Sequence, residues 1–148
     1  MIGKQGTGAI VTHVERKSRY LTAAKLESKQ ALHLAHKSIA LYRKIKRSLR
    51  STLTLDNGRE FSEFKALEKQ TGINIYFADP YSSWQRGCNE NTNGLLRQFF
   101  PKGYDFKKIR DIDVANAVRI LNNRPRKVLN YQTPYEVFTS AQSGAVVS

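Results

Sequence analysis

Residues 51–78, STLTLDNGREFSEFKALEKQTGINIYFA, decide the fold class, because they read as strand, turn, helix and strand in immediate succession. The short alternation of STLTL over 51–55 is that of a half-buried strand, and it runs directly into Asp56, Asn57 and Gly58, which let the backbone turn sharply. Phe61, Phe64, Ala66 and Leu67 give one apolar side to a short helix, which Gly72 can end in a left-handed cap. INIYFA, 73–78, is the next strand. Two strands joined through a helix predict a parallel pair, the unit of an α/β sheet.

Upstream, GAIVTH (8–13) is apolar and β-branched, ERKS (15–18) supplies a polar turn and RYLTAAKL (19–26) reads as a second strand, so the three predict a hairpin. Ser28 can cap a helix carrying Ala31, Leu32, Ala35, Ile39 and Leu41 at near-helical spacing, expected to end near Arg47. Downstream, DPYSSWQRGC (79–88) is rich in loop formers, and Asn89 is placed to cap a helix through Leu95, Leu96 and Phe99 that Pro101 breaks. A helix from about Asp113 to Asn123 presents Val114, Ala117, Val118 and Leu121, and Thr133 with Pro134 opens a last short helix through Val137 and Phe138. The expected organisation is one α/β domain over 1–139 with a disordered tail over 140–148.

At 148 residues and 40% hydrophobic content the chain can bury a real core. No apolar run approaches the ~18 residues of a membrane span, and MIGKQGTGAI lacks the apolar segment of a secretory signal, so a cytoplasmic location without a membrane partner is expected. The single Cys88 excludes an internal disulfide, and His13, His33 and His36 are too scattered for a metal cluster. The formal charge of +13 favours a polyanionic partner, and it is unevenly spread: residues 1–50 carry a net +10, 51–100 a net −1 and 101–148 a net +4. A mildly acidic middle between basic flanks suits carboxylates that act on a phosphate backbone held by the flanks. A nucleic-acid binder with incidental acids is the plainer alternative.

Two carboxylates stand at special places. Asp56 sits where a strand gives way to a turn, and Glu90 at the first turn of a helix. The 33 residues between them provide one helix and one adjacent parallel strand, which would deliver both acids to the same end of neighbouring elements. Each also has an ordinary structural explanation, as a turn residue and as a helix-dipole partner. Close carboxylates repel unless a cation lies between them, and hard divalent cations accept oxygen ligands, so a shared metal ion is the alternative. Two such ions can activate the attacking oxygen and stabilise the leaving oxygen in phosphodiester displacement.

TLDNGREF, YFADPYSSWQRGCNENTNGLLRQFFPKG and LNNRPRKVLNYQTPYEVF resemble the catalytic domain of bacterial insertion-sequence transposases of the insertion-sequence-thirty type, within the retroviral-integrase superfamily. The likeness extends from about Ile2 to Phe138. It implies a ribonuclease H-like mixed sheet flanked by helices and a DDE site in which Asp56 and Glu90 are the second and third acids. It also implies Mg²⁺ (or Mn²⁺), cleavage of transposon ends, and strand transfer in which a 3′ hydroxyl attacks target DNA. The family's first Asp maps ahead of Met1, so the core is expected without its first strand, and strand transfer by this chain alone is expected to be absent. That strand is central in the order 3-2-1-4-5, which would leave the strands of 8–14 and 51–55 without their shared neighbour. The rivals are a non-catalytic nucleic-acid-binding or regulatory fragment, which would pair with intact transposase or with itself, and a metal-dependent nuclease of the same fold.

Around Glu90, Arg97 is two helical turns further along nearly the same face, where a guanidinium suits a DNA phosphate. Arg86 and Lys102 flank the helix, and Asn91 and Asn93 either bond phosphates or satisfy the helix start. Trp84 either anchors its loop or stacks on a base. Arg43, Lys44, Lys46, Arg47 and Arg50 form a dense basic set whose DNA binding would be salt-sensitive.

Overall fold

A computed structural model of the chain describes residues 8–27, 31–49, 52–55, 63–77 and 87–144. Two strands, β1 (Ala9–Val14) and β2 (Leu21–Leu26), pair antiparallel with Ala9 opposite Leu26 and Val14 opposite Leu21. The ERKS turn closes on itself: the Glu15 carboxylate accepts from the Lys17 and Ser18 N–H groups and from the Ser18 hydroxyl, while Arg19 turns with φ +61°. Burial works to raise the Glu15 pKa, but these three bonds to the charged form outweigh it and leave the carboxyl below its ordinary value.

The alternation of β1 explains why the strand is buried on both faces. Ile10 and Val14 point into a cluster with Leu21, Leu96, Phe100, Phe106, Val114 and Leu121. Ala9 and Val11 point the other way, onto Leu26 and Leu34. A strand buried on both sides reads as a continuous apolar run, as GAIVTH does. The helix α1 (Ala31–Arg43) covers the second face and α4 (Asp111–Asn122) the first, together with α3 (Gly87–Leu96).

The second unit is the expected one. β3 (Thr52–Leu55) pairs parallel with β4 (Asn74–Phe77), Leu55 opposite Phe77, and α2 (Phe64–Thr71) connects them. Gly72 ends α2 with φ +67°, its N–H donating to the Glu68 carbonyl. Ile39 and Tyr42 of α1 pack with Leu67 and Ile73, so α1 touches both units. Among the described residues the two strand pairs are separate sheets, with no strand between β1 and β3. The mixed pairing and flanking helices are those of the expected α/β architecture.

Several helix ends differ from the sequence reading. α1 stops at Arg43, where the Lys44 and Ile45 N–H groups turn back to the Leu41 and Tyr42 carbonyls, and a short 3-10 turn follows at Arg47–Leu49. α3 starts at Gly87, placing Asn89 inside it, and ends at Leu96 as the backbone tightens through Gln98 and Phe99 onto the Leu95 and Leu96 carbonyls. α4 starts at Asp111, because Asp113 is the third helical residue and reaches back to the Arg110 N–H and guanidinium. α5 (Pro134–Gly144) runs into the stretch expected to be a disordered tail, and 145–148 lie outside the described residues. No helix among the described residues is long and apolar enough to cross a membrane.

Candidate active site

Asn91, Asn93 and Gly94 are poor helix formers, so α3 depends on its buried face more than on propensity. That face is Thr92 and Leu96, one turn apart and both buried, with Leu95 and Phe99 beside them. The Asn93 carboxamide oxygen accepts a 2.9 Å bond from the Thr12 hydroxyl of β1. This fixes the helix against the strand one turn beyond Glu90. Thr12→Val is expected to lower folding stability by ~1 kcal/mol, read as a lower urea midpoint. An unchanged midpoint would show that the bond does not hold the helix.

Opposite the buried face, Glu90, Gly94 and Gln98 follow at helical spacing and are exposed. A Cβ at Gly94 would meet nothing within 4 Å, so this stripe is open for a bulky ligand. Glu90 lies in the first turn, and its carboxylate makes no hydrogen bond or ion pair among the described residues. An exposed carboxylate of this kind has the chemistry of one position in a carboxylate ligand set for a hard cation. Among the described residues no group of three or more His, Cys, Asp or Glu side chains is gathered for a metal ion. Asp56 follows the last residue of β3 and lies outside the described residues, as do Gly58, Trp84, Arg86 and Arg50.

The other site residues divide by what they touch. Asn91 is exposed beside Glu90, whereas Asn93 is half-buried with its oxygen committed to Thr12. Arg97 turns its guanidinium toward the Phe100 and Pro101 carbonyls, both at 3.4 Å, bracing the loop after α3. Lys102 is exposed at the tip of that loop. His33 and His36 are exposed on α1, and so are Arg43, Lys44, Lys46 and Arg47 around its end.

Two supporting residues escaped the sequence reading. His13, on the α1 side of β1, is buried with its Nε2 3.1 Å from the Ser38 hydroxyl and its ring 5.1 Å from that of Tyr42. Burial lowers its pKa to about 4 and raises that of Tyr42. Asn122, the last residue of α4, uses its side-chain amide as a strand would: Oδ1 accepts from the Leu21 N–H and Nδ2 donates to the Leu21 carbonyl, each at 2.9 Å. The signal for His13 was a lone imidazole in an apolar run; Asn122 had none.

No protein-family model matches the chain. A transposase for insertion sequence element IS4351 of Bacteroides fragilis is 44% identical over 138 residues, which make up 93% of this chain and 42% of that protein. The transposase InsI of element IS30A of Escherichia coli is 40% identical over 128 residues, 86% of this chain and 33% of that protein. Over most of its length the chain is thus homologous to IS30-family transposases. The chain spans less than half the length of either relative. The fold agrees: the catalytic core domain of BIV integrase superposes with a TM-score of 0.75, covering 98% of this chain and 93% of that one, at 22% identity. The resemblance to an integrase core read from TLDNGREF and NENTNGLLRQFFPKG thus holds at the level of family and fold.

Proposed function

We propose that the chain belongs to the catalytic domain of a DDE transposase, an enzyme that acts on DNA ends and target DNA by phosphodiester cleavage and strand transfer. The observation that carries it is the position of Glu90, an exposed carboxylate in the first turn of a helix fastened to β1, within the stretch shared with the IS30-family transposases. Asp56 and Glu90 would hold Mg²⁺ or Mn²⁺, which when bound supplies charge stabilisation at the attacked phosphate.

The chain's own residues then have separate jobs. Thr12 and Asn93 set the depth of α3, so that Glu90 meets the DNA from a fixed helix. The open surface at Gly94 leaves room for a sugar-phosphate chain along the stripe. Arg97 braces the loop that carries Lys102, and Lys102, Arg86, Asn91 and the amide hydrogens of Asn93 contact phosphates. In cleavage a water oxygen attacks phosphorus and the ester bond to the 3′ oxygen breaks; in joining, that 3′ hydroxyl attacks a target phosphate and displaces its bridging oxygen.

Mn²⁺ titration of the chain, followed by the resonance signal of the free ion, tests the ligand assignment. Glu90→Gln keeps the size and exposure of the side chain but removes its charge, so the affinity is expected to fall at least ~10-fold, and Asp56→Asn to do the same. Mn²⁺ binding indifferent to both substitutions would refute the metal role. Incubation with labelled DNA ends separates joining from cutting alone, the nuclease reading.

A further inference from the structure

The connection from α4 to α5, NRPRKVLNYQT over 123–133, has no part in the site described above, and its geometry is unusual. It is a closed turn. The Arg126 carbonyl accepts from the Leu129 and Tyr131 N–H groups, both at 2.9 Å, and the Arg126 N–H donates to the Gln132 carbonyl at 3.0 Å. The Asn130 N–H donates to the Lys127 carbonyl and the Gln132 N–H to the Leu129 carbonyl. Two consecutive residues are thereby held in left-handed backbone, Asn130 at φ +52° and Tyr131 at φ +66°. Asn tolerates that region; a tyrosine there is strained.

The strain is not offset by burial of the ring. Tyr131 is 71% exposed and Val128 66% exposed, so the turn holds an apolar ring out in water. Around it the charge is of one sign. Arg124 and Lys127 are exposed and Arg126 half-buried, and no carboxylate pairs with any of them among the described residues. The nearest acid in sequence, Glu136, accepts from the Thr133 N–H and hydroxyl and caps α5. Arg126 is tethered beneath the turn through its Nη2 to the Leu121 carbonyl, and its Nε is buried with no hydrogen-bond partner. The position of the turn is also fixed relative to the catalytic helix: Arg124 Nη1 lies 3.4 Å from the Gln98 side-chain oxygen, on the exposed stripe that begins at Glu90. Gln98 follows Glu90 by eight positions, just past the end of α3, about 12 Å at the rise of a helix.

An exposed ring among uncompensated cations matches the chemistry of an unpaired nucleotide, with a base on the ring face and phosphates on the guanidinium and ammonium groups. An apolar protein partner would meet three charges that it has to desolvate. We infer that the turn at 123–133 is a second DNA contact, in which Tyr131 stacks on a base of an unpaired strand while Arg124 and Lys127 hold its phosphates, about two helical turns from Glu90. The inference rests on DNA being the substrate.

Anisotropy of a short fluorescein-labelled oligothymidylate, titrated with the full chain over a series of salt concentrations, tests it. Tyr131→Asn is expected to weaken binding ~5- to 150-fold, the range of one lost base stack, while Tyr131→Phe binds as wild type. Asn is at ease in left-handed backbone, so Tyr131→Asn is expected to melt no lower than wild type, which separates loss of binding from loss of folding. Lys127→Ala is expected to flatten the slope of log affinity against log salt by ~0.7. Normal oligonucleotide binding by Tyr131→Asn and Lys127→Ala overturns the inference and leaves the DNA reading intact. Absence of binding to both the oligonucleotide and a duplex overturns the two together. A change in sedimentation of the variants with binding untouched identifies the turn as a protein interface and also overturns the inference.

Discussion

Asn122→Leu is expected to destabilise the protein by about 2–6 kcal/mol, because it leaves two buried main-chain groups of Leu21 without partners at ~1–3 kcal/mol each. Leu21 sits opposite Val14, and its N–H and C=O both point away from β1, toward α4. Among the described residues the Asn122 amide satisfies both, beside the buried Leu21, Val114 and Leu121. Leucine keeps the heavy-atom count and branching of asparagine but replaces its amide with methyl groups, so the loss is chiefly one of hydrogen bonding. Asn122→Ala, which leaves room for a water molecule, is expected to lose less. Urea denaturation gives the comparison through the midpoint at constant slope. A leucine variant as stable as wild type would mean that the amide is dispensable.

Acidification gives the second large effect. His13 has a folded pKa of about 4 against an ordinary 6.5, so the unfolded chain takes up a proton as pH falls through 6.5 while the folded chain does not. The stability contributed by the neutral imidazole is present in full above 6.5 and is lost by ~1.4 kcal/mol per pH unit down to about 4, some 3 kcal/mol in all, after which the loss saturates. Glu15, Asp113 and Glu136 also have lowered folded pKa values, but their contributions decline only as pH falls through their ordinary range of 3.8–4.5 and below. The window from pH 6.5 to 5 therefore belongs to His13. Subtracting the pH profile of His13→Phe from that of wild type isolates it, and parallel profiles across this window would rule the assignment out. Protonation would strain one contact in particular, the packing of β1 on Ser38 and Tyr42 of α1.

What could be read from the sequence follows the range of the interactions concerned. The parallel pairing of β3 with β4 was legible because each cue is local: the alternation of STLTL, the apolar side of α2 and the left-handed cap at Gly72. The first-turn position of Glu90 was legible for the same reason, although the helix opens at Gly87 instead of being capped by Asn89. Helix ends were misread where a side chain reached backwards, as Asp113 does to Arg110, which moves the start of α4 to Asp111. The amide of Asn122 was invisible because its partner lies 101 positions away, and Thr12 meets Asn93 across 81. Those long-range polar contacts fasten α3 and α4 to the hairpin, and no periodicity announces them.

The helix α1 belongs to two hydrophobic clusters at once, through Leu34 and Leu41 to the antiparallel hairpin and through Ile39 and Tyr42 to the parallel unit. Two strand pairs that share no ladder among the described residues are then made cooperative by one shared strut. A fluctuation that frays α1 uncouples them, so the segment leading to residue 56 and the strand supporting Glu90 move as one body only while that helix is wound. The relative placement of the hairpin and the parallel unit is in this sense a property of helix α1, which belongs to neither.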